Sequence, residues 1–173
     1  MQSDLKKLLG GVGFVICFLV SVWPVAAQNA PHDHAQIYKR AVAAIDGAEK
    51  KLAGNYTAEA KAYVKEANSL FGILQKEMPE KMKSMELTPQ QEQQWNSNNK
   101  LGEDSSAQGQ TLEKSGQAKQ KQSDTMEAQG QQDMAVKLQQ EAVRELNLAQ
   151  KAHLKSAIYH LRNLQLTFSF LNK

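Results

Sequence analysis

Apolar residues recur at helical spacing along much of the chain. Ile37, Ala41, Ala44 and Ala48 follow at intervals of four, three and four, and Val42, Ile45 and Leu52 widen the stripe. This pattern predicts a helix from about Asp33 to Ala53, closed by Gly54-Asn55 as a left-handed C-cap. Thr57 is expected to cap a second helix, along which Tyr56, Ala60, Tyr63, Ala67, Leu70 and Leu74 alternate by four and three. Two such seams joined by a short turn predict an antiparallel hairpin. Pro79 interrupts the second helix, so Met78 closes one segment and Pro79 opens a short continuation through Leu87. Thr88-Pro89-Gln90-Gln91 then reads as a strong helix start: Thr at the N-cap, Pro at the first position, Gln at the third.

From Pro89 to Gln132 the pattern changes. The segment is rich in Gln, and Trp95, Leu101, Leu112 and Met126 are its only large apolar residues. Gly102, Gly109, Gly116 and Gly130 are spaced by sevens or a multiple of seven, with Ser123 in the missing place. A glycine inside a helix costs about 1 kcal/mol against alanine. A whole stripe of them makes sense where another helix approaches closely. Two readings fit: a long helix with a close-packing glycine face, which we adopt, and a flexible Gly/Gln-rich linker. Asn96 to Ser106 is the stretch most like a loop. The last helix is expected from about Asp133 to Leu171. Its small column is Ala128, Ala135, Ala142, Ala149 and Ser156, again by sevens, and its later core residues are large: Leu154, Ile158, Leu161, Leu164 and Phe168. The predicted fold is an all-α bundle in one domain, 28–173. It has an N-terminal helical hairpin (33–87) and two long antiparallel helices (88–130 and 131–171) packed through small-residue heptads.

The first 27 residues carry a different signal. Lys6 and Lys7 precede an apolar run from Leu8 to Trp23, and Val25-Ala26-Ala27 supplies small residues before Gln28. This reads as a secretory signal peptide cleaved after Ala27, with retention as a membrane anchor as the alternative. The expected location is periplasmic or secreted. The single cysteine, Cys17, lies inside this run, so the mature chain would have no thiol and no disulfide. The full chain of 173 residues has a formal charge of +3. That is too small a surplus to argue for nucleic acid.

Lys137, Arg144, Lys151, Lys155 and Arg162 fall within about 40° of one another on a helical wheel. No acidic residue follows Glu145. The stripe is either a solvated face or a dock for an acidic protein partner or an anionic membrane surface. His153 and His160 face the opposite, core side, where they can fill space against glycine. His32 and His34 form an HxH near the mature N-terminus, and Met78, Met82 and Met85 lie at spacings of four and three. Imidazole and thioether ligands suit copper, and imidazole suits zinc; the methionines otherwise read as core packing. No set of residues has the turn chemistry of a catalytic site. The expectation is a non-enzymatic protein acting by binding, with copper or zinc binding as the alternative. A protein client or partner, including a second copy in a homodimer, is the expected ligand.

Leu87-Thr88-Pro89-Gln90-Gln91 is similar to the LTxxQ pattern of the periplasmic family that includes Spy and CpxP. Members carry the motif twice; the second candidate here is Leu166-Thr167, with Phe170 where Gln would stand. The resemblance covers about 85 residues. It implies an ATP-independent chaperone or envelope-stress role, with a concave dimer surface.

Overall fold

The computed structural model describes residues 33–172. The expected signal peptide, its cleavage site and His32 lie outside the described residues. Within them all regular structure is helical: α1 (His34–Ala53), α2 (Thr57–Glu77), α3 (Pro79–Lys83), α4 (Pro89–Ala128), α5 (Gln132–Thr167) and a closing 3-10 turn, Ser169–Asn172. α1 pairs with α2, and α4 pairs with α5 along its length. The α1–α2 hairpin packs on α5, and α1 also meets the 3-10 turn. No helix here is long and apolar enough to cross a membrane.

α1 starts where the Asp33 carboxylate accepts from the Gln36 N–H at 3.1 Å. It ends in a paired-bond cap: Asn55 N–H donates to the Leu52 carbonyl at 3.1 Å, and Tyr56 N–H to Lys51 at 2.9 Å. The left-handed residue is Asn55, at φ 65°, while Gly54 keeps φ −80°. Of the expected Gly54-Asn55 pair, it is thus Asn55 that makes the left-handed cap. The cap consumes the Tyr56 N–H, so Tyr56 itself flanks α2 and Thr57 becomes its first helical residue without capping it. α3 stops at Lys83 rather than reaching Leu87. Thr88 precedes a proline and must be extended, and it is, at ψ 158°. Thr88 and Gln91 form the reciprocal capping box: Gln91 N–H donates to Thr88 Oγ1 and Thr88 N–H to Gln91 Oε1.

α4 is one unbroken helix of 40 residues, so the linker reading of the Gln-rich segment does not hold. Its buried residues are Gly102, Gly109, Gly116 and Ser123. Facing them on α5 are Ala135, Ala142, Ala149 and Ser156, all buried. Ser123 adds a hydrogen bond from its hydroxyl to the Ala135 carbonyl, at 2.8 Å. Two expected members of these columns fall out. Gly130 is not a close-packing residue: it is exposed, has φ 76° and forms the turn between the long helices. Its N–H donates to Glu127 and that of Gln131 to Met126, both at 2.9 Å, the same paired-bond cap as at Asn55. Ala128 belongs to the last turn of α4 and is exposed.

The expected loop at Asn96–Ser106 is helical, and Asn98 and Asn99 face inward. Asn163 on α5 is only 3% exposed. Its Oδ1 accepts from Asn98 Nδ2 at 2.9 Å, and its Nδ2 donates to Asn99 Oδ1 at 2.7 Å. This polar cluster fixes the register of α4 on α5, because its buried groups find partners only in this alignment. The large-residue core lies at the same end, where Tyr38, Ile45, Phe71 and Leu74 of the hairpin meet Leu154, Ile158, Leu161 and Phe168. Phe71 stacks on Phe168 with centroids 6.0 Å apart, and Tyr38 meets Phe71 edge-on.

Candidate functional site

The glycines set the shape from which the site follows. A Cβ built at Gly116 would lie 2.9 Å from Leu146 Cγ and 3.2 Å from the Ala142 carbonyl oxygen. One built at Gly109 would lie 2.7 Å from the His153 ring. α4 and α5 therefore run closer than side chains on both sides would allow. His153 and His160 do fill space over glycine, at Gly109 and Gly102 respectively. His153 Nε2 also stands 3.4 Å from a Glu113 carboxylate oxygen.

The α1–α2 hairpin covers only the C-terminal part of α5, and its tip is Gly54–Tyr56. Where the tip meets the long pair, a groove of about 610 Å³ opens between α1, α4 and α5. Leu52, Leu112, Leu148, Ala152, Ile158 and Tyr159 give it an apolar lining, and Lys151, Lys155, Glu49, Asn55 and Gln108 stand in its wall.

The structure divides the basic stripe into three parts. Arg162 is bound to α1: its Nη2 lies 2.7 Å from Asp46 Oδ1 and 2.6 Å from Glu49 Oε2, and its Nε donates to Glu49 Oε1 at 3.0 Å. Partial burial works against its charge, but Glu49 and Asp46 outweigh that and raise its pKa. Arg162 thus clamps the hairpin to α5 and is not free to meet a partner. Lys151 Nζ donates to Asn55 Oδ1 at 2.7 Å, so the residue that ends α1 also ties its tip to α5. Lys155 is exposed in the groove wall, with no ion pair among the described residues. Lys137 and Arg144 lie exposed farther along α5, beyond the hairpin.

The metal candidates fall at the other end of the hairpin. His34 Nε2 lies 2.9 Å from Glu77 Oε2, which brings His34 beside the chain entering Met78. Met78 and Met82 pack half-buried against the core, and Met85 is half-buried after α3. Among the described residues no group of three or more His, Cys, Asp and Glu stands in position to hold a metal. The segment carrying the LTxxQ resemblance meets its degenerate counterpart, since Gln91 Nε2 donates to Ser169 Oγ at 3.1 Å.

Sequence reasoning missed the Lys151–Asn55 bond, Asn163 and the Asp46–Glu49 pair. The last had a usable signal: two acids at i, i+3 on α1 form one acidic patch, and the final 28 residues supply only cations to meet it. No protein-family model, curated protein or solved structure matches the chain.

Proposed function

We propose that this is an exported, non-enzymatic binding protein that docks an acidic, amphipathic segment of a protein partner in the groove at the hairpin tip. The observation that carries the reading is the pairing of an apolar trough with Lys151 and Lys155 in one wall. The trough, about 610 Å³, falls within the range of about 300–1,000 Å³ common for ligand sites. The two lysines are one helical turn apart, so carboxylates spaced by one turn on a docked helix would meet both. Concavity favours a protruding segment over a flat anionic bilayer, which cannot reach the floor. The resemblance to the LTxxQ family supports the same class, since unfolded envelope proteins offer such apolar segments. The test is fluorescence titration of a labelled helical peptide with leucine on one face and glutamate on the other. Lys151→Glu with Lys155→Glu should weaken binding at least tenfold with helicity intact, and wild-type binding should fall steeply with salt. Equal affinity in the double variant, or no binding by the wild type, refutes the groove.

A second reading, copper or zinc binding, is favoured by the contact that sets His34 beside Met78. Its ligands would be His32, His34 and the Met78–Met82–Met85 set. Titration with Cu(I), Cu(II) and Zn(II) tests it: sub-micromolar binding should vanish on His32→Ala with His34→Ala.

A further inference from the structure

Beyond the hairpin tip, α4 and α5 continue as a two-helix arm whose outer face on α5 is uncovered. The stripe of α5 that carries the hairpin includes Leu154 and Leu161. At helical spacing the same stripe continues outward through Val143 and Val136. Those two are 50% and 48% exposed, whereas Leu154 and Leu161 are buried. The arm has little apolar burial of its own, because its inner columns are Gly116, Ser123, Ala135 and Ala142. A pair of helices held mainly through such small side chains gains from a further layer on its outer face.

We propose that a second copy of this chain supplies that layer, packing its own α5 antiparallel against the arm about a two-fold axis near Gln139 and Gln140. The commitment to a second copy rests on the order of charges beside the valines. Asp133 and Arg144 stand toward opposite ends of one edge of the exposed stripe, about 70–90° from the valines on a helical wheel, and both are exposed. Neither has an ion pair among the described residues, whereas Glu141, on the far side of α5 from the valines, is held by Lys119 of α4. In an antiparallel helix pair, residues on the same edge meet their own kind of edge across the axis. Rotation about residues 139–140 sets Val136 against Val143 of the second copy. The same rotation brings Asp133 to within about two residues, or about 3 Å along the axis, of Arg144 of the second copy, within reach of an arginine side chain. Every pairing is of opposite charge or apolar with apolar, and each occurs twice by symmetry. The seam lies outside the hairpin-tip groove, so it stands independently of the partner proposed there.

Sedimentation velocity of the chain lacking residues 1–27, over a concentration series, reads the association directly. The wild type is expected to form a dimer. Val136→Glu with Val143→Glu should leave a monomer with unchanged helicity, since both sites are half exposed. The sharper test is charge exchange. Asp133→Lys alone and Arg144→Asp alone should each weaken the dimer about tenfold, because two exposed attractions become two repulsions. Combining them should restore wild-type association. Within one chain these residues stand about 16 Å apart along α5, so rescue can arise only between copies. A wild-type chain that stays monomeric throughout the series overturns the proposal. So does a dimer indifferent to the valine changes, or a double exchange no stronger than its singles. Binding of anionic vesicles by a monomeric wild type, lost in the valine variant, would assign the face to a membrane instead.

Discussion

Three glycines on one helix should respond to alanine with three different outcomes. At Gly102 an added Cβ would stand 3.6 Å from His160 and from Tyr159, which is ordinary contact. Gly102→Ala therefore gains helix propensity, about 1 kcal/mol, with no steric cost. At Gly116 the new carbon would lie 2.9 Å from Leu146 Cγ and 3.2 Å from the Ala142 carbonyl oxygen. Neither neighbour is a free end: Cγ is the branch point of its side chain, and the carbonyl belongs to the backbone of α5. Relieving both means moving the helices apart, and overpacking of this kind costs about 1–3 kcal/mol. Set against the propensity gain, Gly116→Ala should lose about 1 kcal/mol. Gly109 is intermediate. Its Cβ would meet the His153 ring at 2.7 Å, but that side chain is 40% exposed and can turn outward, giving up Glu113. The expected order of stability is Gly102→Ala, then wild type and Gly109→Ala together, then Gly116→Ala. Each kcal/mol should move the melting temperature by about 3 °C, and urea midpoints should give the same order. If Gly116→Ala stabilises as much as Gly102→Ala, the close approach of α4 to α5 is not what the glycines serve, and the reasoning fails.

Three further outcomes are expected. Asn163→Leu should destabilise the fold by about 1–3 kcal/mol, because Asn98 and Asn99 lose their partner in a part-buried setting; adding Asn98→Ala and Asn99→Ala should recover part of the loss in urea denaturation. Lys119, and after it Ser115, hold the Glu145 carboxyl below its ordinary 4.5. A depressed carboxyl stabilises the folded state above its unfolded pKa and loses that contribution as pH falls through the folded value. Acid titration followed by circular dichroism should therefore show a loss below about pH 4.5 that is smaller in Lys119→Ala. The mature exported chain should begin at Gln28, which intact mass decides; a membrane-bound form retaining Met1 to Ala27 would contradict it.

The long pair is legible in the sequence because its cost repeats. One glycine in a helix has many explanations, but three and a serine at strict sevens, opposite alanines at strict sevens, have one economical cause in close packing. Details set by a choice between equivalent residues are not legible. Gly54 and Asn55 both tolerate the left-handed conformation, and only the bonds from Asn55 and Tyr56 to Leu52 and Lys51 show which adopts it. Asn163 looks like an interruption in an apolar column until Asn98 and Asn99 stand across from it. The cationic stripe is legible as a stripe, but its division is tertiary. Arg162 is consumed because α1 happens to present Asp46 and Glu49 at that height, while Lys155, two turns away, forms no ion pair among the described residues.

The groove itself follows from the change of residue size along α5. Up to Ala149 the inward column is small, and α4 lies close against it. That column stays small through Ser156, but beside it Leu154, Ile158, Leu161 and Phe168 are large and support a third and fourth helix. A hairpin can pack well only on the large-residue half, so it must end near the point of change, and its end leaves a step. At that step Leu52, Ile158 and Leu112 show edges that continuous helices would cover. The paired-bond cap ends α1 abruptly at Asn55, and the Asn55–Lys151 bond holds that end down instead of letting it fray. Lys155 is then left over beside an apolar trough without an ion pair among the described residues, because Glu49, the acid in the trough's lining, is held by Arg162. A site of this kind needs no special loop. It is the border between a two-helix arm built for closeness and a four-helix core built for burial, and the two lysines at the border are what the proposed acidic partner would meet.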